Sequence, residues 1–208
     1  MNKYITKLIQ NGENETLDFK QEISDSIRIA KTIVSFANHK GGTLLIGVKD
    51  DGHIKGVNAE DEKHMLEVAV LTLIKPEVEY YINYHECDQQ VVMEVIIMKG
   101  VDKPYYTKGA DGKWWAYIRV KDQSLLASKV VLNVLKKSNS SLNNTIKFGT
   151  KEKALIDYLN ANQKITVKQF CKLLNISRRR ASAILTDLIQ AEIIRVHYTE
   201  KPEYYTLS

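Results

Sequence analysis

The sequence predicts an α+β protein with two domains, and three observations support this. Apolar residues recur at both helical and strand spacing over residues 1–137. The run SNSSLNNTIKFGT at 138–150 is polar and low in complexity, which is typical of a linker. Helical spacing resumes over 151–208. We therefore expect domains at 1–137 and 151–208, the first with a mixed, mostly antiparallel sheet.

The first domain begins with a predicted helix and strand. Apolar residues at steps of three and four predict an amphipathic helix over 23–38, capped by Ser24 or Asp25. TLLIGV at 43–48 predicts a buried strand, and IKGV at 54–57 its returning partner. The other expected elements are a helix at 59–74, a hairpin at 77–86 and 90–98, a strand at 113–120 and a closing helix at 128–137.

The second domain shows a different order, with three helices followed by a hairpin. Helices are expected at 151–163 and 166–174, and Ser177 caps a third whose apolar residues share one face. Two short strands follow, around Glu200-Lys201-Pro202. This order predicts a winged helix-turn-helix.

Charge is unevenly distributed between the two domains. The net charge is +5, yet residues 1–137 hold 19 basic and 19 acidic residues. Residues 151–208 hold ten basic and six acidic residues. A basic small domain favours a polyanionic partner, usually nucleic acid.

Arg178, Arg179 and Arg180 are the main candidates for nucleic-acid contact. They open the second helix of the predicted motif, the part that enters the major groove of duplex DNA. Arginine pairs bidentately with guanine edges and phosphates. The other candidates are Ser182 and Thr186, expected on the outward face, and Lys201, expected at the wing tip. The alternatives are a solvated helix start or a domain that binds only proteins.

The glycine-rich stretch SFANHKGGTLLIGVKDDG joins a helix to a strand, which is the reverse of a nucleotide-binding turn. It matches neither GxxxxGK[ST] nor GxGxxG. We expect Gly41 to end the helix in the left-handed conformation and Gly42 to let the strand start close to it. The glycines are therefore predicted to be structural.

Three segments carry a family resemblance: GENETLDFK, IAKTIVSFANHKGGTLLIGVKDDGHIKGV and AYIRVKDQS. Together, over about residues 8–137, they resemble the Schlafen-type AlbA DNA-binding domain. The resemblance implies nucleic-acid binding and, in some eukaryotic Schlafen proteins, an RNA-cutting metal site. An older family label, ATPase-like, finds no support in these glycines, because the P-loop lysine is missing.

Carried over by position, the Schlafen acids fall on Glu13 and Asp18, with a third at Lys49 or Asp50. With Asp50, these carboxylates would hold Mg²⁺ or Mn²⁺ and activate water for phosphodiester cleavage. With Lys49, the metal triad is broken. The alternative is that all of them are ordinary surface acids.

An aromatic and basic segment over 103–117 fits either a single-strand platform or half-buried strand packing. No run of eighteen apolar residues is present, so we expect no membrane partner. We expect a cytoplasmic, DNA-binding transcriptional regulator that binds duplex DNA, forms a homo-oligomer and needs no cofactor. RNA is the alternative ligand. A metal-dependent nuclease or an ATP-binding protein is the alternative function.

Overall fold

The computed structural model describes residues 2–138, 148–198 and 202–208. The chain divides into two compact units, residues 1–127 and 128–208. No helix in these described ranges is long and apolar enough to cross a membrane.

The first unit mixes helices and strands throughout. Its helices are α1 (Lys3–Gln10), α2 (Ser26–Asn38) and α3 (Ala59–Leu73). Its strands are β1 (Leu17–Lys20), β2 (Gly42–Ile46), β3 (Ile74–Lys75), β4 (Tyr80–Cys87), β5 (Gln90–Ile97), β6 (Tyr106–Lys108), β7 (Trp114–Trp115), β8 (Tyr117–Val120) and β9 (Gln123–Leu126).

The central sheet has the strand order β1-β2-β5-β4. The strands β1 and β2 are parallel, and the pairs β2–β5 and β4–β5 are antiparallel. Asp88 and Gln89 both have positive φ between β4 and β5, as a tight hairpin turn requires. The smaller sheets are β3-β6-β7 and β8-β9, both antiparallel. The predicted α+β class with mostly antiparallel sheets is confirmed.

The two faces of the central sheet are covered differently. Side chains of α2 and α3 join those of β2 and β5 in the largest apolar cluster. On the other face, Ile5 of α1 packs with Phe19, Leu45 and Val92 in a smaller cluster. The short helix α1 leaves part of this second face open.

Helix α2 ends at residue 38, as its sequence predicts, but begins at Ser26 instead of the predicted residue 23. The Asp25 side chain accepts hydrogen bonds from the amides of Ile27 and Arg28, which caps the first turn. Gly41 has φ +81°, so the prediction of a left-handed glycine after α2 is confirmed. A Cβ on Gly41 would lie 2.6 Å from the Ile97 carbonyl oxygen, which requires glycine there.

One predicted strand of the first unit is wrong. The segment 54–57 forms only a single bridge, Val48 to Ile54, instead of a paired strand. Gly47 has φ +102°, which turns the chain out of the sheet before a ladder can form. The antiparallel partner of β2 is instead β5.

The second unit contains the helices α4 (Lys129–Ser138), α5 (Thr150–Asn162), α6 (Val167–Leu174) and α7 (Arg178–Gln190), and the antiparallel strands β10 (Ile194–His197) and β11 (Tyr204–Leu207). Ile165 also bridges to Tyr205 of β11. The apolar core of this unit contains Leu155, Phe170, Leu185 and Tyr205.

Helix α4 packs along α7 within this unit. Val130 lies in the same apolar cluster as Leu185, and Lys137 forms an ion pair with Asp187. The sequence analysis assigns this helix to the first domain, with the boundary at 137. In the structure, the division of the chain falls before α4, because its apolar side is buried with the second unit.

Candidate nucleic-acid interface and carboxylate cluster

Three exposed arginines form the first turn of α7: Arg178, Arg179 and Arg180. The Ser177 hydroxyl caps the helix by accepting a hydrogen bond of 3.2 Å from the Arg180 amide. Within the described ranges, none of the three guanidinium groups has an ion-pair partner. The structure therefore presents three unneutralised cations at one helix start.

Two other predicted contact residues lie elsewhere. Ser182 and Thr186 are 2% and 1% exposed, so the prediction that they face outward is wrong. The Thr186 hydroxyl donates to the Ser182 carbonyl at 2.7 Å, inside the helix. This side of α7 is buried because α4 packs along the helix, and small side chains let two helices approach closely. Lys201 lies outside the described residues.

The acid expected at position 18 is buried and already neutralised. Asp18 in β1 and Arg119 in β8 are each 3% exposed. Arg119 donates from Nη2 to Asp18 Oδ1 at 2.7 Å, and Lys20 Nζ lies 2.6 Å from Asp18 Oδ2. Arg119 also donates to two backbone carbonyls of residues 14 and 17 and stacks over the Phe36 ring at 4.8 Å.

Glu13 and Asp50 lie close to this ion pair. Glu13 Oε1 accepts a hydrogen bond of 2.8 Å from the Phe19 amide. Burial raises the pKa of the Glu13 carboxyl, and the negative charges of Asp18 and Asp50 raise it further. Asp50 is exposed in the turn after β2. The structure thus brings the three predicted acids into one electrostatic neighbourhood.

These acids do not fit a divalent metal ion. Both Asp18 oxygens face cationic groups, so a metal would have to displace Arg119 and Lys20 from a buried position. In the described parts of the chain, no three His, Cys, Asp or Glu side chains are grouped to hold a metal. The cluster therefore supports no metal-dependent cleavage step.

The first unit matches the sequence model of a known protein family. The sequence model of the family Schlafen, AlbA_2 matches residues 13–128, more than half of the chain. The chain belongs to the Schlafen AlbA_2 family. The match ends where β9 leads into the second unit.

Two solved structures are similar to part of the chain. The DIP2311 protein from Corynebacterium diphtheriae is 17% identical with a TM-score of 0.44, and the match covers 62% of this chain and 25% of that one. The chain thus spans only a quarter of that protein. The N-terminal domain of an ATP-dependent DNA helicase RecG-related protein from Nitrosomonas europaea is 20% identical with a TM-score of 0.42. That match covers 60% of this chain and 95% of the other one. No curated protein was found to match the chain.

Arg119 is one residue of the Schlafen AlbA_2 domain that the sequence analysis did not identify. Its signal was a cation in the middle of the apolar strand YIRV, where a buried charge requires a buried partner. That partner, Asp18, is about a hundred residues away in sequence, and β1 was not expected as a strand. Without the fold, the two residues could not be paired.

The sequence analysis also did not identify a second buried polar group. Glu94 of β5 is 1% exposed and accepts hydrogen bonds from Tyr4 at 2.6 Å and Asn83 at 3.1 Å, with His85 Nε2 at 2.8 Å. Burial acts to raise the pKa of Glu94, but these three hydrogen bonds outweigh it and hold the pKa below its ordinary value. The network ties α1 to the sheet.

The aromatic segment over 103–117 is mostly packed. Tyr105 is buried, and Lys75 lies 3.8 Å from the centre of the Trp114 ring. The Trp115 indole donates to Asp111. Strand packing is therefore the role that the contacts of these residues support.

Proposed function

We propose that this protein is a DNA-binding transcriptional regulator whose residues 151–208 form a winged helix-turn-helix. Three helices followed by an antiparallel hairpin support the proposal, as does the bridge from Ile165 to Tyr205. Asn175 adopts the left-handed conformation between α6 and α7. This allows the tight turn that a helix-turn-helix needs.

The observation that carries the proposal is the arginine triplet at the start of α7. Cations at a helix N-terminus oppose the helix dipole, so Arg178, Arg179 and Arg180 slightly destabilise the isolated unit. Phosphate groups reverse this effect, because they bind both guanidinium groups and free helix amides. A polyanion is therefore the ligand chemistry that this turn fits.

Helix α4 packs along α7 and so limits which part of α7 can contact DNA. Since Ser182 and Thr186 are buried, the first turn of α7 contacts DNA and the rest of the helix does not line the groove. Contacts of this kind fall mainly on phosphates, which fix position and contribute little sequence information. Affinity should then depend strongly on salt.

The family of the first unit supports a nucleic-acid-related role from a separate part of the chain. We include in the proposal a cytoplasmic location and a homo-oligomer, in which two arginine turns would engage one duplex. In this proposal the acids of the first unit have a structural role and do not cleave nucleic acid.

The test is a titration of labelled duplex DNA by fluorescence anisotropy. Arg179→Gln/Arg180→Gln should weaken binding by at least about tenfold, because two phosphate or base contacts are lost. The matched control is Lys151→Gln/Lys153→Gln, which removes the same charge from the exposed start of α5 in the same unit. An equal loss in both variants would show that net charge alone drives binding and would refute the assignment to α7.

A further inference from the structure

One face of the central sheet is only half covered. Helix α1 packs over one end of this face, and beside it lies an open hollow of about 430 Å³. Thr43 of β2 and Ile96 of β5 pair in register on its floor, and both are partly exposed. Leu8 and Asn11 of α1 form one side.

Tyr81 stands on the same face. It pairs directly with Ile96, so its ring projects to the side that carries the hollow. Tyr81 is 53% exposed, and its hydroxyl donates a 2.6 Å hydrogen bond to Glu79. An exposed aromatic ring of this kind is suited to stacking.

Basic residues surround the end of the hollow near Gly41. Lys40 and Lys99 line it, and Lys40 forms an exposed ion pair with Glu15 at 3.2 Å. Burial, with the nearby charge of Lys99, lowers the pKa of Lys103 to about 8. A phosphate there would relieve the repulsion between these cations.

The rest of the lining is uncharged and mixes polar side chains with apolar ones such as Leu8, Ile96 and Met98. Asn14 and Thr16 bond to one another, while in the described structure the side chains of Asn11 and Thr43 make no hydrogen bond. Free amide and hydroxyl groups can donate to or accept from the edges of an unpaired base. Three acids near this face are already engaged: Glu94 by three partners, Glu15 by Lys40 and Glu79 by Tyr81.

We propose that this open sheet face binds single-stranded nucleic acid, with a base stacked on Tyr81 over Ile96 and the backbone phosphates held by Lys40 and Lys99. Aromatic rings beside a cationic track are the features that bind single strands without base-pair readout. A duplex fits poorly, because its bases are stacked inside and cannot reach the ring. This site lies in the first unit and goes beyond duplex binding by α7.

The experiment titrates full-length protein with a fluorescein-labelled 12-nucleotide oligothymidylate. Tyr81→Ala should weaken binding by about five- to a hundredfold, the range for loss of one stacked base. Tyr84→Ala is the matched control, because Tyr84 lies on the same strand, is 49% exposed and points to the opposite face. It should bind like the wild type.

Two further variants separate this site from its alternatives. Lys99→Gln should weaken oligothymidylate binding and reduce the salt slope by about 0.7. Arg179→Gln/Arg180→Gln should weaken duplex binding by at least about tenfold while keeping oligothymidylate binding, so each site can fail without the other. Unchanged oligothymidylate binding by Tyr81→Ala would overturn the proposal. If sedimentation then showed that Tyr81→Ala had altered the molecular mass, the face would be a contact between copies of this chain.

Discussion

Arg119 donates a 2.7 Å hydrogen bond to Asp18, and both side chains are almost completely buried. The pair joins β8 to β1. It also occupies the acid that the family resemblance associates with metal binding. The same contact therefore gives the first unit a structural anchor and weighs against a nuclease.

Asp18→Ala should destabilise the first unit by about 3–5 kcal/mol, because it leaves the Arg119 charge buried without a partner. Glu15→Ala is the control, since Glu15 and Lys40 form an exposed pair worth less than about 1 kcal/mol. Urea unfolding measures both free energies. Equal values for the two variants would contradict the anchoring role.

Mg²⁺ or Mn²⁺ should leave tRNA and plasmid DNA intact in the presence of the purified protein. Divalent ions bind poorly where a lysine and an arginine already neutralise the central carboxylate. Gel electrophoresis after incubation provides the measurement. Metal-dependent cleavage that disappears in Asp50→Asn, an exposed position whose change should leave folding intact, would overturn this account.

Gly41→Ala should lower the free energy of unfolding more than Gly112→Ala. Both glycines have positive φ, which costs a residue with a Cβ about 1 kcal/mol. At Gly41 the Cβ would also meet the backbone of Ile97 and Lys99, adding about 1–3 kcal/mol, whereas nothing lies within 4 Å of Gly112. Thermal melts compare the two variants.

A nucleotide titration should find no ATP binding in the wild type or in Gly41→Ala. ATP binding that is lost in Gly41→Ala with an unchanged melt would point to a nucleotide loop.

Glu94 should make stability depend on acid pH. Its pKa is lowered from 4.5 in the folded state, so its contribution is present above pH 4.5 and is lost as pH falls through the folded pKa. Glu94→Gln should be destabilised by about 1–3 kcal/mol near neutral pH, and the difference from the wild type should shrink below pH 4.5. Thermal melts from pH 3 to 7 test this. A difference that stays constant over that range would exclude Glu94 as the titrating group.

The local pattern of the sequence predicted the elements with strong periodicity. Helices α2 and α3, the β4–β5 hairpin and the left-handed Gly41 followed from apolar spacing and turn residues. The local pattern did not predict the burial of Ser182 and Thr186, because that burial depends on α4 packing along α7. Local spacing showed that α4 is amphipathic but could not show which unit covers its apolar side.

The candidate site also contains some features that the local sequence predicts and others that depend on the fold. The exposed arginines of α7 were predictable, because charged residues at a helix start lie in solvent unless something covers them. The Asp18–Arg119 pair and the open sheet face around Tyr81 depend on strand order and register. Contacts of that kind join residues far apart in the chain, and a single sequence does not encode them locally.

The salt dependence of duplex affinity is the most direct test of nucleic-acid binding by the arginine turn. With about four to six phosphate contacts, the logarithm of the association constant should fall against log salt with a slope of about −3.6 to −5.4. Arg179→Gln/Arg180→Gln should make that slope shallower by about 1.8. A slope near zero in the wild type, or a slope unchanged by the two substitutions, would contradict the account.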